Sequence, residues 1–346
     1  MCGIFGYIDI AARGGKQIDA GFVQKQLQIL FRLSETRGKE AAGLALLTGS
    51  QISIHKDSVS ASHMMKTDDY KSYWKRFFDT VKPNGTIASL GHTRLVTNGL
   101  QVVDANNQPV VRGSSVLIHN GIIVNDADIW EAHPEFERKA EVDTEVFAAM
   151  LDDQLSKSDD IAQALAYGYS HVYGETTIAA LFTDRNIMAL ATNTGSLYFC
   201  VSPKKDRFFF VSEDYIARRA RDDTDGLEGF KGGDIQRVPP GTALFIDLDD
   251  FTVTWAQISE KKSTSIPAET ELVASHLAPG LGFTREIEEK HQRISDVRKN
   301  MKRCTRCVMP ETMPFIEFNQ EGVCNYCASF QKQELTGRDA LDSFTF

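Results

Sequence analysis

No run of about 18 consecutive apolar residues occurs in this 346-residue chain, so the sequence offers no membrane-spanning helix. The N-terminus lacks a basic segment followed by an apolar stretch, so no secretory signal is expected. An excess of positive charge is missing too. The 38 Lys and Arg stand against 47 Asp and Glu, a net charge of −9, and a general nucleic-acid binder needs a basic face. A Gly-rich phosphate cradle is absent, since the Gly14-Gly15 pair does not make one. There is no internal repeat and no low-complexity tract. These absences predict a cytoplasmic protein with neither nucleic acid nor membrane as partner.

What is present suits a globular core: 42% hydrophobic and 25% charged residues, with length for one large domain or two smaller ones. The six cysteines are unevenly spread. Cys2 and Cys200 stand alone, while Cys304, Cys307, Cys324 and Cys327 fall within the last 43 residues. In a reducing compartment disulfides are the weaker explanation, and the cluster implies a separate small C-terminal module.

Cys2 follows the initiating methionine in Met1-Cys2-Gly3-Ile4-Phe5-Gly6. Removal of Met1 would leave a thiol and a free α-amine on one residue. The amine, with a reference pKa of roughly 7.7–8.0, can serve as base for the thiol. A buried structural cysteine is the plain alternative.

Residues 1–10 read as a buried strand, and 20–33 as a helix from the spacing of Val23, Leu27, Leu30 and Phe31. Short β-like runs follow at 42–47, 51–55, 86–91, 115–119, 177–183, 187–192, 197–202, 207–212, 242–247 and 252–256. Residues 143–155 and 158–167 read as helices, with Asp143 or Thr144 as the cap of the first. This pattern predicts an α+β layered domain over residues 2–256. Residues 257–302 read as a polar linker and a charged helix, 303–328 as the cysteine module and 329–346 as a tail.

Four short islands carry possible chemistry. In Gly91-His92-Thr93-Arg94-Leu95-Val96-Thr97-Asn98-Gly99, an Arg after a strand can grip a carboxylate, with the Thr97 hydroxyl nearby. In His119-Asn120-Gly121, a side-chain amide beside a glycine N–H supplies a pair of oxyanion donors. Asp143-Thr144-Glu145 offers a carboxylate for an ammonium. Arg37-Gly38-Lys39-Glu40-Ala41-Ala42-Gly43 reads as a tight loop before a strand. Taken singly, each also reads as a turn, a helix cap or a surface loop.

Their order is more specific. With Cys-Gly-Ile-x-Gly at the start, the four islands resemble the class II glutamine amidotransferases, whose glutaminase domain is an N-terminal-nucleophile hydrolase. Gly174, Ser212-Glu213 and Pro240-Gly241 also look like that family's closing strands. The resemblance covers about residues 2–256 and implies a four-layer αββα sandwich. It implies that Cys2 attacks the glutamine amide, that Asn120 and Gly121 hold the oxyanion, and that Arg94 and Thr97 bind the α-carboxylate. Asp143 would bind the α-amino group, and Arg37 would order the loop over Cys2. Three positions depart from the common pattern: Lys39-Glu40 after Arg37-Gly38, Leu95 after Arg94, and Val142 before Asp143. Leu95 is the residue found in asparagine-forming relatives, so an asparagine-synthetase-like glutaminase is one alternative. An inactive scaffold for a synthetase is another.

Cys304-Thr305-Arg306-Cys307 and Cys324-Asn325-Tyr326-Cys327 are two Cys-x-x-Cys knuckles sixteen residues apart. That spacing suits a structural four-thiolate zinc site, with disulfides or an iron–sulfur cluster as alternatives. A segment so poor in apolar residues needs metal to fold. The module resembles the opening segment of the N-acetyl sugar amidotransferases of surface-polysaccharide synthesis. That resemblance implies a nucleotide- or N-acetyl-sugar acceptor and an ATP-using synthetase of the ATP pyrophosphatase type, on a partner chain or in a further domain.

Overall fold

The computed structural model describes residues 2–10, 19–49, 51–81, 85–258 and 301–330. The chain divides into two compact units, Met1–Ser263 and Thr264–Phe346. The expected charged helix, most of the linker and most of the tail lie outside the described residues.

The first unit opens with β1 (Gly3–Asp9), α1 (Ala20–Ser34), β2 (Ala41–Thr48), β3 (Gln51–Asp57), α2 (Ala61–Met64), α3 (Asp68–Phe78) and β4 (Ile87–Arg94). Next come β5 (Val110–Arg112), β6 (Ser115–Ile123), α4 (Asp126–Ala132), α5 (Thr144–Lys157), α6 (Ile161–His171), β7 (Gly174–Phe182) and β8 (Ile187–Thr192). It closes with β9 (Tyr198–Val201), β10 (Arg207–Val211), α7 (Asp214–Asp222), β11 (Ile235–Arg237), β12 (Thr242–Asp247) and β13 (Val253–Gln257). One seven-stranded sheet runs β11-β9-β10-β1-β4-β2-β3, and a six-stranded sheet runs β13-β12-β8-β7-β6-β5. Every strand pair in them is antiparallel.

Strand alternation explains the layering. On β1, Phe5 and Tyr7 face α1, α3 and α7 with Leu27, Phe31, Trp74 and Ile216. Their neighbours Ile4 and Ile8 face the other way. They meet Leu90 of β4 and Ile118, Leu181, Leu190 and Leu244 of the second sheet. The far side of that sheet, with Leu117, Ile178 and Ala191, packs on Phe147 and Leu151 of α5 and Leu165 of α6. Two sheets therefore lie face to face, each with helices on its outer side. Burying one such Leu, Ile or Phe contributes about 1.5–3 kcal/mol, so the three cores carry the bulk of the stability.

Local signals place the helices. The Asp19 side chain accepts from the Phe22 amide at 3.0 Å to start α1, and Asp160 accepts from Gln163 at 3.0 Å to start α6. The cap delays α6 to Ile161, against the expected start at 158, and the helix continues to His171. Helices α2, α3, α4 and α7 were not expected. In α3 the buried Tyr70, Tyr73, Trp74 and Phe77 do have helical spacing, carried by aromatic residues. Strands β5 and β11, at three residues each, are too short to display alternation.

Candidate active site

The layer between the sheets changes character at one end. Continuing the inward faces of β1, β4, β6, β7, β8 and β10 past the apolar core gives Cys2, His92, Arg94, Asn120, Thr177, Thr192 and Ser212. All seven are buried. Register places them together within each sheet. Gly3 pairs with Thr93, Asn120 with Thr177, and Thr177 with Thr192. The Ser212 amide donates to the Ile4 carbonyl at 3.0 Å. An apolar core with one polar end is a layout for chemistry.

Cys2 sits where β1 meets the end of β4. Its Sγ lies 3.4 Å from both the carbonyl oxygen and the amide nitrogen of Leu95. Burial raises the thiol above its ordinary value. The Leu95 peptide and the Arg94 guanidinium pull it down and Asp143 pushes it further up, so the sulfur is protonated near neutrality without a base.

Arg94 was expected just after a strand that ends at 91. Strand β4 instead runs through Arg94, because β1 and β2 pair with it on both sides to that point. The residue is 2% exposed. Nη1 donates to Asn107 Oδ1 at 2.7 Å, and Nη2 to the carbonyls of Asn98 and Gly99 at 2.5 and 2.8 Å. The segment after β4 is thus wrapped around the arginine. Asn107 and Asn106 hold it further, to Gln101 and Glu141 respectively. Glu40, one of the departures from the family pattern, accepts from the Val96 amide, and its own amide donates to Arg94 O. Thr97 is exposed on this segment and makes no hydrogen bond among the described residues.

Asn120 and Gly121 lie inside β6, not in a hairpin turn. Asn120 is 3% exposed, and its Oδ1 has no hydrogen-bond partner among the described residues. Such an orphan costs about 1–3 kcal/mol, and rotating the amide turns the unpaired end from acceptor to donor. Gly121 has φ +146°, and a Cβ there would stand 1.8 Å from the Glu175 carbonyl oxygen. Only glycine fits.

Asp143 occupies the N-cap position of α5, yet its side chain makes no cap hydrogen bond. Oδ2 accepts from the Ile123 amide at 2.9 Å, and Oδ1 lies 3.6 Å from His119 Nδ1. Burial opposes ionisation of this carboxyl, but the His119 imidazole and the Ile123 amide outweigh it and hold its pKa below the ordinary value. Thr144 and Glu145 of the same island do structural work. Glu145 accepts from the amides of Lys139 and Ala140 at 2.7 and 2.6 Å. Arg37 ends a short 3₁₀ turn and reaches Glu213 at 3.1 Å. A Cβ on Gly38 would stand 2.2 Å from the Arg94 carbonyl carbon and 2.4 Å from Leu95 N. This loop therefore backs the same peptide that touches Cys2.

A cavity of about 930 Å³ lies elsewhere, on the outer helical side, between Lys25 and Arg32 of α1 and residues 221–231. None of the site residues lines it.

Comparison with known proteins matches residues 92–217 to the family described as the glutamine amidotransferase domain. The chain carries a glutamine amidotransferase domain. Glutamine–fructose-6-phosphate aminotransferase of Thermococcus kodakarensis is 30% identical over 190 residues, 53% of this chain and 28% of the relative. Amidophosphoribosyltransferase of Methanocaldococcus jannaschii is 27% identical over 259 residues, 72% of this chain and 49% of the relative. The chain thus spans half or less of the length of these two. Among solved structures, the glutamine phosphoribosylpyrophosphate amidotransferase of B. subtilis superposes with a TM-score of 0.52 at 19% identity, covering 75% of this chain and 49% of that one. That likeness concerns the fold.

Reading by motif gave no role to His92, His119 or Glu40 and passed over the run Asn106-Asn107-Gln108. Three consecutive amide side chains before Pro109 were the available signal.

In the second unit the four cysteine sulfurs lie within 4.8 Å of one another. Cys304 Sγ is 3.9 Å from Cys327 Sγ, and Cys307 Sγ 3.7 Å from Cys324 Sγ. A tetrahedral zinc with Zn–S of about 2.3 Å puts sulfurs about 3.8 Å apart, while a disulfide needs about 2.05 Å. None of the four is in a disulfide. Amides of Arg306, Cys307 and Cys324 point at Cys304 Sγ from 3.4, 3.5 and 3.2 Å. Donors so placed suit a thiolate, and the set fits a metal ion.

Proposed function

We propose that residues 2–256 form a glutaminase of the N-terminal-nucleophile type, using Cys2 to release ammonia from L-glutamine. The observation that carries this reading is the position of the Cys2 sulfur against the Leu95 peptide, with Arg94 and Asp143 both close enough to shift its pKa. A zwitterionic amino acid needs one fixed cation and one fixed anion flanking the nucleophile.

With Met1 removed, the Cys2 α-amine takes the thiol proton. The sulfur adds to the side-chain carbonyl carbon, and the developing oxyanion is met by the Asn120 amide and the Gly121 N–H. The amine returns its proton to the departing nitrogen. Ammonia leaves and a glutamyl thioester remains. Water, deprotonated by the same amine, hydrolyses it to glutamate and the free thiol. Arg94 has five donors and uses three within the protein, which leaves two for the α-carboxylate beside Thr97. Asp143 stays ionised and takes the α-ammonium. Arg37 holds the supporting loop.

The ammonia acceptor is read as a nucleotide or N-acetyl sugar, activated by an ATP-using synthetase on a partner chain or a further domain. The sugar phosphates in the names of the matched relatives are in line with it, as is the resemblance of the cysteine module. That module, residues 303–328, holds a structural zinc through Cys304, Cys307, Cys324 and Cys327.

The test is ammonia release from glutamine by the purified chain. Cys2→Ala is expected to lower it by at least about a thousandfold, as loss of a nucleophile does. Equal rates for variant and wild type would end the assignment of Cys2.

A further inference from the structure

One imidazole lies between two halves of the proposed site. His119 is 1% exposed and belongs to no step described so far. Its Nδ1 stands 3.6 Å from Asp143 Oδ1 and 3.3 Å from Thr144 Oγ1. Its Nε2 abuts Gly121, where a built Cβ would come within 2.9 Å of it, and has no hydrogen-bond partner among the described residues. Gln108 braces the surroundings of this ring without hydrogen-bonding to it. Its Oε1 accepts from the His119 amide at 2.6 Å, and its Nε2 donates to Thr144 Oγ1 at 2.9 Å. Gln108 itself is 4% exposed.

The parts come from three elements. Gln108 precedes β5, His119 is on β6, and Asp143 and Thr144 start α5. Asp143 has two anchors, the Ile123 amide and His119, and no cap bond to its own helix. Without the ring, one carboxylate oxygen would lose its imidazole neighbour in a buried setting, and the side chain could turn into the helix cap it now forgoes.

We propose that His119 is a positioning residue for the ammonium end of the substrate: it holds the Asp143 carboxylate at a fixed distance from the oxyanion strand, with Thr144 against the ring and Gln108 holding Thr144 and the His119 backbone. This rests on the reading of Cys2 as nucleophile and Asp143 as the ammonium partner. His119 touches neither the substrate nor the reacting atoms in this role. Its loss acts through Asp143 on binding of the α-ammonium.

Two reagents separate that role from a merely structural one. Both are diazoketone electrophiles that alkylate Cys2, one with the glutamine α-amino group and one lacking it. Modification is followed by intact mass against reagent concentration. For His119→Leu, the half-saturating concentration of the amino reagent is expected to rise about tenfold, the scale of one charged hydrogen bond. The des-amino reagent is expected to behave as with wild type. Adding Asp143→Asn to His119→Leu is expected to cost no more than Asp143→Asn alone. His119→Asn, which keeps a polar side chain able to donate at this position, is expected to recover part of the loss. Equal losses with both reagents, or additive losses in the double variant, would overturn the positioning role. Unfolding of His119→Leu would move the comparison to Thr144→Val and Gln108→Leu, held to the same two outcomes. Failure of wild-type Cys2 to react selectively with the amino reagent would instead overturn the glutaminase reading, and this inference with it.

Discussion

His92 shows how strongly a single side chain can feel this site. Burial, with the Arg94 charge adding to it, lowers its pKa from 6.5 to about 3, and its Nε2 has no partner among the described residues. The folded chain therefore keeps this ring neutral where the unfolded chain protonates it. Between pH 6.5 and about 3 the unfolded state binds the extra proton, so stability falls as pH falls, by up to about 1.4 kcal/mol per unit. Urea midpoints at pH 7 and pH 5 should show wild type losing more on acidification than His92→Gln. The same loss in both proteins would contradict this account. At this scale the sequence showed which residue types were present and in what order. It did not show that Arg94 would be bound on three sides, that Thr97 would be exposed, or that Asp143 would decline its helix cap. Those outcomes depend on Asn107, His119 and the Ile123 amide, which are distant in sequence or lie outside the motifs.

Among the elements, β6 carries the sharpest constraint. Glycine at 121 lets the strand pass Glu175 of β7 at a distance no side chain permits. Gly49 also has positive φ, +57°, but nothing lies within 4 Å of its missing Cβ. Gly49→Ala should cost about 1 kcal/mol for the left-handed backbone alone. Gly121→Ala should cost several times that, because the carbonyl must move as well. Denaturant midpoints of the two variants give the comparison, and similar losses would mean that β6 and β7 adjust freely. Eleven strands and three helices were legible from alternation and 3.6-residue spacing. The rest were not, for identifiable reasons. Two strands of three residues show no period, and α7 buries only Ile216, Ala217 and Ala220. The helical spacing within α3 was present and overlooked.

At the scale of the whole molecule the two units make separate demands. The first is built on three apolar cores, and the described part of the second gathers four cysteine sulfurs within 4.8 Å of one another. About one zinc ion per chain is expected by native mass spectrometry, with loss of the metal in Cys304→Ser. Cobalt substitution should give the visible absorption of a tetrahedral thiolate site, and a chain isolated metal-free under reducing conditions with no affinity for zinc would refute the assignment. The sequence by itself determined the alternation that sorts residues onto two faces, the order of the islands and the paired cysteine spacing, because these depend on neighbours within a few residues. Tertiary structure alone decided that the inward faces of six strands turn polar at one end. Antiparallel register carries β1, β4, β6, β7, β8 and β10 to that end in opposite directions, so residues from 2 to 212 meet there. Cys2 acquires its surroundings in this way, since the Leu95 peptide, Arg94 and Asp143 reach it only through pairing and packing that no local pattern encodes.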